Sequence, residues 1–108
     1  MNATTALAMA FLEGKVLTIK TAFRDFGITN LPRECGRLIE RKFDVRLARV
    51  TKVGVTRYNV RCTWNEYRLP DTDYNKEGRT KMEEYVIERV PTYKNSTKTA
   101  ERQQLNLL

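Results

Sequence analysis

Apolar residues in the first part of the chain recur with the spacing of α-helices. A segment rich in helix formers begins near Thr4 and Thr5, either of which can cap it, and ends before Gly14. The pattern predicts a first helix over about 5–13. Residues 15–17 then form a short segment compatible with a β-strand.

Two further apolar stripes follow, separated by a short polar turn. The first predicts a helix over about 19–26, which begins after Thr18 and ends at Gly27. The second predicts a helix over about 31–42, which Asn30 can cap. The predicted buried face of this third helix carries Leu31, Cys35, Leu38 and Ile39. Helices joined by so tight a turn have the spacing of a helix-turn-helix.

From about residue 45 the apolar period becomes that of a β-strand. One alternating set is expected to face the core and comprises Tyr58, Val60, Cys62 and Trp64. Apolar residues beyond Asn65 continue on the opposite parity, which predicts a bulge or bend there. The segment 51–56, with Gly54 inside it, is predicted to be the hairpin turn. A mobile loop over 53–63 is the alternative.

The C-terminal part of the chain contains one more apolar stripe. After a polar linker at 70–76, this stripe predicts an acidic helix over about 77–89. We therefore expect one domain over 1–90 and a flexible tail over 91–108.

Composition narrows the function classes. The 108 residues suit one small domain, and no apolar run approaches the length of a membrane-spanning helix. We therefore expect a cytoplasmic protein. It contains two cysteines and no histidine, which removes histidine-dependent catalysis and leaves too few ligands for a four-ligand zinc site. We expect a binding protein that uses no metal or cofactor, rather than an enzyme.

The excess positive charge is concentrated in the middle of the chain. The net charge is +7, and residues 31–69 hold ten basic and four acidic side chains. A localised basic block favours a polyanionic partner. A solvated basic surface without a partner is the alternative.

Three stretches resemble a known family. They are LEGKVLT (12–18), AFRDFGI (22–28) and Leu38-Ile39. Together with the order of elements over about 5–69, they look like the winged helix-turn-helix domains of bacteriophages and mobile elements. The resemblance implies an α+β fold with three helices and a β-hairpin wing, to which this chain adds a C-terminal helix. It also implies DNA binding, with the third helix in the major groove and the wing beside the backbone.

Within that arrangement the third helix carries the candidate base-reading residues. A helical wheel turns Arg33, Gly36 and Arg37 away from the apolar face and puts Arg41 on its flank. An arginine can bond O6 and N7 of guanine, and a glycine lets the backbone approach the groove closely. The alternative is a pair of solvated arginines bonded to a neighbouring glutamate.

Other candidate contacts lie outside the third helix. Helix two and the turn after it could contact phosphates, as could a basic wing. These candidates are Lys20, Arg24, Thr29, Asn30, Lys52 and Arg57, with Arg49 and Arg61 as further members of the wing. Tyr58 and Trp64 are expected in the core, and stacking on single strands is the alternative. Cys35 and Cys62 are also expected in the core.

The sequence thus predicts a double-stranded DNA-binding protein, a phage or mobile-element transcriptional regulator or accessory factor. The alternative is a protein-interaction module on the same fold, for example an inhibitor of a host nucleic-acid enzyme. RNA binding is a third reading of the same charge. Because helix-turn-helix proteins often dimerise on palindromic sites, a homodimer is an alternative to a monomer.

Overall fold

The computed structural model describes residues 1–93. Within them the chain is mixed α+β, with five α-helices and one antiparallel hairpin. The elements are α1 (Ala3–Leu12), α2 (Ile19–Phe26), α3 (Leu31–Glu34), a π-helical segment (Cys35–Glu40), α4 (Arg41–Phe43), β1 (Ala48–Val55), β2 (Arg61–Arg68) and α5 (Lys76–Arg89). We call the unbroken run from α3 through α4, residues 31–43, the third helix.

No helix in this part of the chain is both long and apolar enough to cross a membrane. The predicted flexible tail lies outside the described residues from position 94 onward.

Short polar side chains and glycines set the helix ends. Asn2, rather than Thr4 or Thr5, caps α1: its Oδ1 accepts from the backbone N–H of Thr5 at 2.8 Å. The predicted cap is wrong because both threonines are buried inside the first turn. The start of α2 was predicted correctly, since Thr18 and Thr21 cap each other's backbone N–H groups.

The core lies between α1, the third helix, α5 and the inner end of the hairpin. Its largest fully buried apolar side chains are those of Leu7, Phe11, Leu31, Ile39, Tyr67, Met82 and Val86. The predicted face of the third helix is confirmed for Leu31, Cys35 and Ile39, with Leu38 half-buried at its edge.

The predicted stripe of α2 is only partly buried. Ala22 is buried, whereas the side chains of Ile19 and Phe23 are 50% and 61% exposed.

The hairpin differs from the prediction in both its faces and its turn. The two strands pair without a break from Ala48↔Arg68 to Val55↔Arg61, so there is no bulge near Asn65. The two apolar sets lie on opposite faces of one continuous stretch, β2 and the residue after it: Tyr67 and Leu69 face inward, and Cys62 and Trp64 face outward.

The turn lies at 56–60, beyond the predicted 51–56. Thr56 N–H donates to the carbonyl of Val60 at 2.8 Å, and Asn59 adopts a left-handed φ of 62°. Gly54 is inside β1, where the ring of Trp64 occupies the space that a side chain would need.

A single β-bridge joins the hairpin to the segment before α2. Leu17 and Tyr67 exchange two backbone hydrogen bonds of 2.8 Å each. The predicted β-compatible segment at 15–17 therefore pairs with β2 immediately before α2 begins.

The predicted linker at 70–76 is exposed over 71–74 and is held by one buried side chain, that of Asn75. The buried side chain of Asn75 accepts from the N–H of Arg46 at 2.7 Å and donates to the carbonyls of Arg46 and Pro70. Asn75 therefore fixes both the entry to β1 and the start of α5.

Candidate nucleic-acid interface

The exposed side of the third helix carries a row of arginines. Arg33, Arg37 and Arg41 are spaced four residues apart, and all three are exposed. Arg41 forms no ion pair with any residue in 1–93. The face opposite the core therefore presents a line of guanidinium groups.

The π-helical segment straightens this row. In an α-helix, residues four apart are about 40° out of line. A π turn closes i→i+5 hydrogen bonds, such as Arg41 N–H to the Gly36 carbonyl, so each residue advances by less. We therefore expect Arg41 to lie closer to the line of Arg33 and Arg37 than a regular α-helix would place it.

Glu34 holds two members of the row. Its carboxylate accepts from Arg37 at 2.7 Å and from Arg33 at 3.1 Å. These hydrogen bonds, that of Arg37 foremost, hold the pKa of the Glu34 carboxyl below its usual range against a smaller effect of desolvation. The acid is therefore ionised at neutral pH and orients both guanidinium groups.

Gly36 lies beside the row without a steric requirement for glycine. A Cβ built there has no atom within 4 Å. Because glycine has no side chain, the backbone between Arg33 and Arg37 can come close to DNA in a groove.

The candidates before the third helix have mixed surroundings. Lys20 and Thr29 are exposed, whereas Arg24 bonds Asp25 at 2.9 Å. The Oδ1 of Asn30 accepts from the N–H of Arg33, so this side chain acts as the helix cap.

Glu40 ties the hairpin to the third helix. One of its carboxylate oxygens accepts from Arg49 at 2.6 Å, and the other accepts from the N–H of Leu47 at 3.2 Å. Arg49 also lies over the ring of Tyr67. The base of β1 is thus fixed beside the arginine row, and Arg49 serves as an anchor there.

The hairpin is a basic arm. Over residues 48–68 it holds five basic side chains and a single acid, Glu66. Lys52, Arg57 and Arg61 are exposed and form no ion pair with residues 1–93. Arg57 lies in the turn at the tip, as a wing contact requires.

A second surface was not predicted from the sequence. An apolar cleft of about 560 Å³ opens between the start of α2 and the outward face of β2. Its lining residues are Thr18, Ile19, Lys20, Cys62, Thr63 and Trp64. The signal in the sequence was the apolar stripe of α2, of which the fold buries Ala22 and leaves Ile19 and Phe23 exposed.

The prediction that Tyr58 and Trp64 are core residues is wrong. Tyr58 is 82% exposed in the hairpin turn, and Trp64 is 39% exposed on the outward face of β2 beside the start of α2. Cys35 is buried as predicted, whereas Cys62 is only half-buried on the outward strand face.

Burial raises the pKa of the Cys35 thiol to about 12. Within residues 1–93 no three side chains of the metal-binding types come together at one place. Comparison with protein-family models, curated proteins and solved structures finds no match to this chain.

Proposed function

We propose that this chain is a winged helix-turn-helix protein that binds double-stranded DNA. The observation that carries the proposal is the attachment of a basic hairpin beside the arginine row through Glu40. The order of elements supports it, with Leu17 bridged to Tyr67 of β2 and the hairpin following the third helix.

In the proposed complex the third helix lies in the major groove. Arg33, Arg37 and Arg41 face the bases there, and Glu34 orients the first two. Lys20, Thr29 and the hairpin residues Lys52 and Arg57 contact phosphates, which fix the register. A phage or mobile-element regulator or accessory factor is the biological role that fits such a protein.

Fluorescence anisotropy with random-sequence duplex DNA at two salt concentrations tests the proposal. We expect binding that weakens as salt rises, because each neutralised phosphate releases counterions. Absence of binding even at low salt would contradict DNA binding by the isolated chain.

Selection of a preferred site then allows a test of the third helix. Arg37→Ala should cost about 1–3 kcal/mol of binding free energy and relax the base preference. Lys81→Ala is the matched control, since it removes an exposed positive charge from α5. If Arg37→Ala binds every sequence as the wild type does, the third helix does not read bases.

The apolar cleft favours a second candidate function, a protein-interaction module. Exposed Ile19 and Trp64 at a cleft of this size suit an apolar side chain of another protein. This alternative predicts no salt-sensitive DNA binding and a protein partner whose binding is lost in Ile19→Ser.

A further inference from the structure

The tip of the hairpin presents apolar side chains to solvent. Tyr58 is the most exposed of them, and Val53, Val55 and Val60 around it are also more than half exposed. In the outer part of the ribbon, every residue from Arg49 to Arg61 except Gly54 is exposed. The hairpin thus carries an apolar end on an arm that is otherwise basic.

Local hydrogen bonds hold this tip in a defined shape. Asn59 N–H donates to the Thr56 carbonyl at 2.9 Å, and Val60 N–H donates to the Thr56 hydroxyl at 3.1 Å. The turn therefore fixes the backbone around Tyr58, and the Arg57 guanidinium lies 5.9 Å from the centre of its ring. A turn held in this way loses little further backbone freedom on binding.

Charge indicates the kind of partner. Arg57 and Arg61 flank Tyr58, and the hairpin carries five basic side chains against one acid. A partner that matches both properties has negative charge on its outside and apolar surface within reach. Duplex DNA has both, because phosphates line the grooves and the faces of the bases are apolar once a step is opened.

We propose that the hairpin enters the minor groove and inserts Tyr58 between two base pairs, so that the duplex is kinked. This inference rests on the proposed DNA binding and deepens it. Apolar wedges of this kind unstack a step and kink the duplex by about 20–90°. Arg57 and Arg61 would contact the phosphates on either side of the opened step.

A duplex of about 30 base pairs with a central TA step, the kind most easily unstacked, provides the test. Donor and acceptor dyes at its ends report bending by energy transfer, and anisotropy on the same samples reports binding. We expect the wild-type protein to shorten the end-to-end distance. A 2-aminopurine beside the central step should brighten as the step opens.

The variants are Tyr58→Ala and its matched control Tyr58→Phe. Tyr58→Ala should keep the salt dependence of binding, because no charge changes, but leave the duplex straight. Tyr58→Phe retains the ring and should bend the duplex as the wild type does. Because Tyr58 is exposed, both variants should fold as the wild type does, and circular dichroism checks this.

Two results would overturn the wedge while leaving DNA binding intact: a straight duplex with wild-type protein, or unchanged bending with Tyr58→Ala. The apolar tip would then be assigned to contact with an acidic surface of another protein. Loss of the anisotropy signal for every variant would overturn the proposed function together with the wedge. The two failures are distinguishable because only the second abolishes binding.

Discussion

At the scale of single residues, Asn75 is the side chain on which the junction before α5 depends. Asn75→Ala removes one acceptor and two donors from backbone groups of Arg46 and Pro70. We expect the free energy of unfolding to fall by about 1–3 kcal/mol, because those groups stay buried without their partner. Urea unfolding followed by circular dichroism measures the change.

Asn65→Ala is the control for this prediction. Its side chain is exposed and accepts only from the hydroxyl of Thr51, so its loss should cost less than about 0.5 kcal/mol. Asn75→Asp tests the chemistry further, since an ionised carboxylate cannot donate to the two carbonyls. Equal losses at positions 65 and 75 would refute the role of the junction.

The two thiols are expected to differ in reactivity. Cys35 is buried with its pKa raised to about 12, and Cys62 is half-buried at the apolar cleft. Near pH 8 a thiol-specific reagent should label one cysteine of the native protein and both in urea. Cys62→Ser should abolish the native signal, whereas Cys35→Ser should preserve it. Labelling of both thiols at one rate would show that Cys35 is accessible.

Stability should also depend on alkaline pH through Cys35. The thiol ionises near 9.0 in the unfolded chain and near 12 in the folded one, so the raised value applies to the folded state. The stability contributed by the neutral thiol is complete below pH 9 and is lost as pH rises toward 12. Cys35→Ala should remove this part of the pH dependence.

At the scale of elements, α5 reaches the end of the third helix only because residue 78 is glycine. A Cβ at Gly78 would overlap Val45 and lie 2.6 Å from the carbonyl oxygen of Phe43. Gly78→Ala should therefore destabilise the fold by about 1–3 kcal/mol through overpacking, although alanine favours helices. Thermal unfolding provides the measurement.

The third helix supplies a matched glycine. Gly36→Ala adds the same methyl group in open space, so it should be neutral or stabilise by up to about 1 kcal/mol. A similar loss for Gly36→Ala and Gly78→Ala would mean that close packing of α5 is not the cause.

The elements also differ in how far the sequence determines them. The bounds of α2 were predicted because Thr18 and Gly27 are local signals that act on adjacent backbone. The faces of the hairpin were not, since both alternating sets contain apolar residues and only contact with the helices decides which set is buried. The turn was misplaced because Gly54 accommodates Trp64, while Asn59 supplies the left-handed residue.

At the scale of the whole molecule, the sequence predicted the order of elements and the exposed arginines of the third helix. It offered the pair of Arg37 with a neighbouring glutamate only as an alternative, and it did not predict the pair of Glu40 with Arg49, because that pair depends on side-chain positions after packing. It also missed the apolar cleft, since periodicity shows that a stripe exists without showing whether the fold provides a partner for it. Long-range contacts such as Asn75 with Arg46 escape local patterns for the same reason.

The π-helical segment has a consequence for how this chain aligns with evolutionary relatives. A turn closed by i→i+5 bonds holds one residue more than an α-helical turn, which is what the insertion of a single amino acid into a helix leaves behind. Any relative whose third helix is α-helical throughout should therefore align with this chain only across a gap of one position between about 35 and 40. Its arginines would then diverge around the helix instead of forming a row.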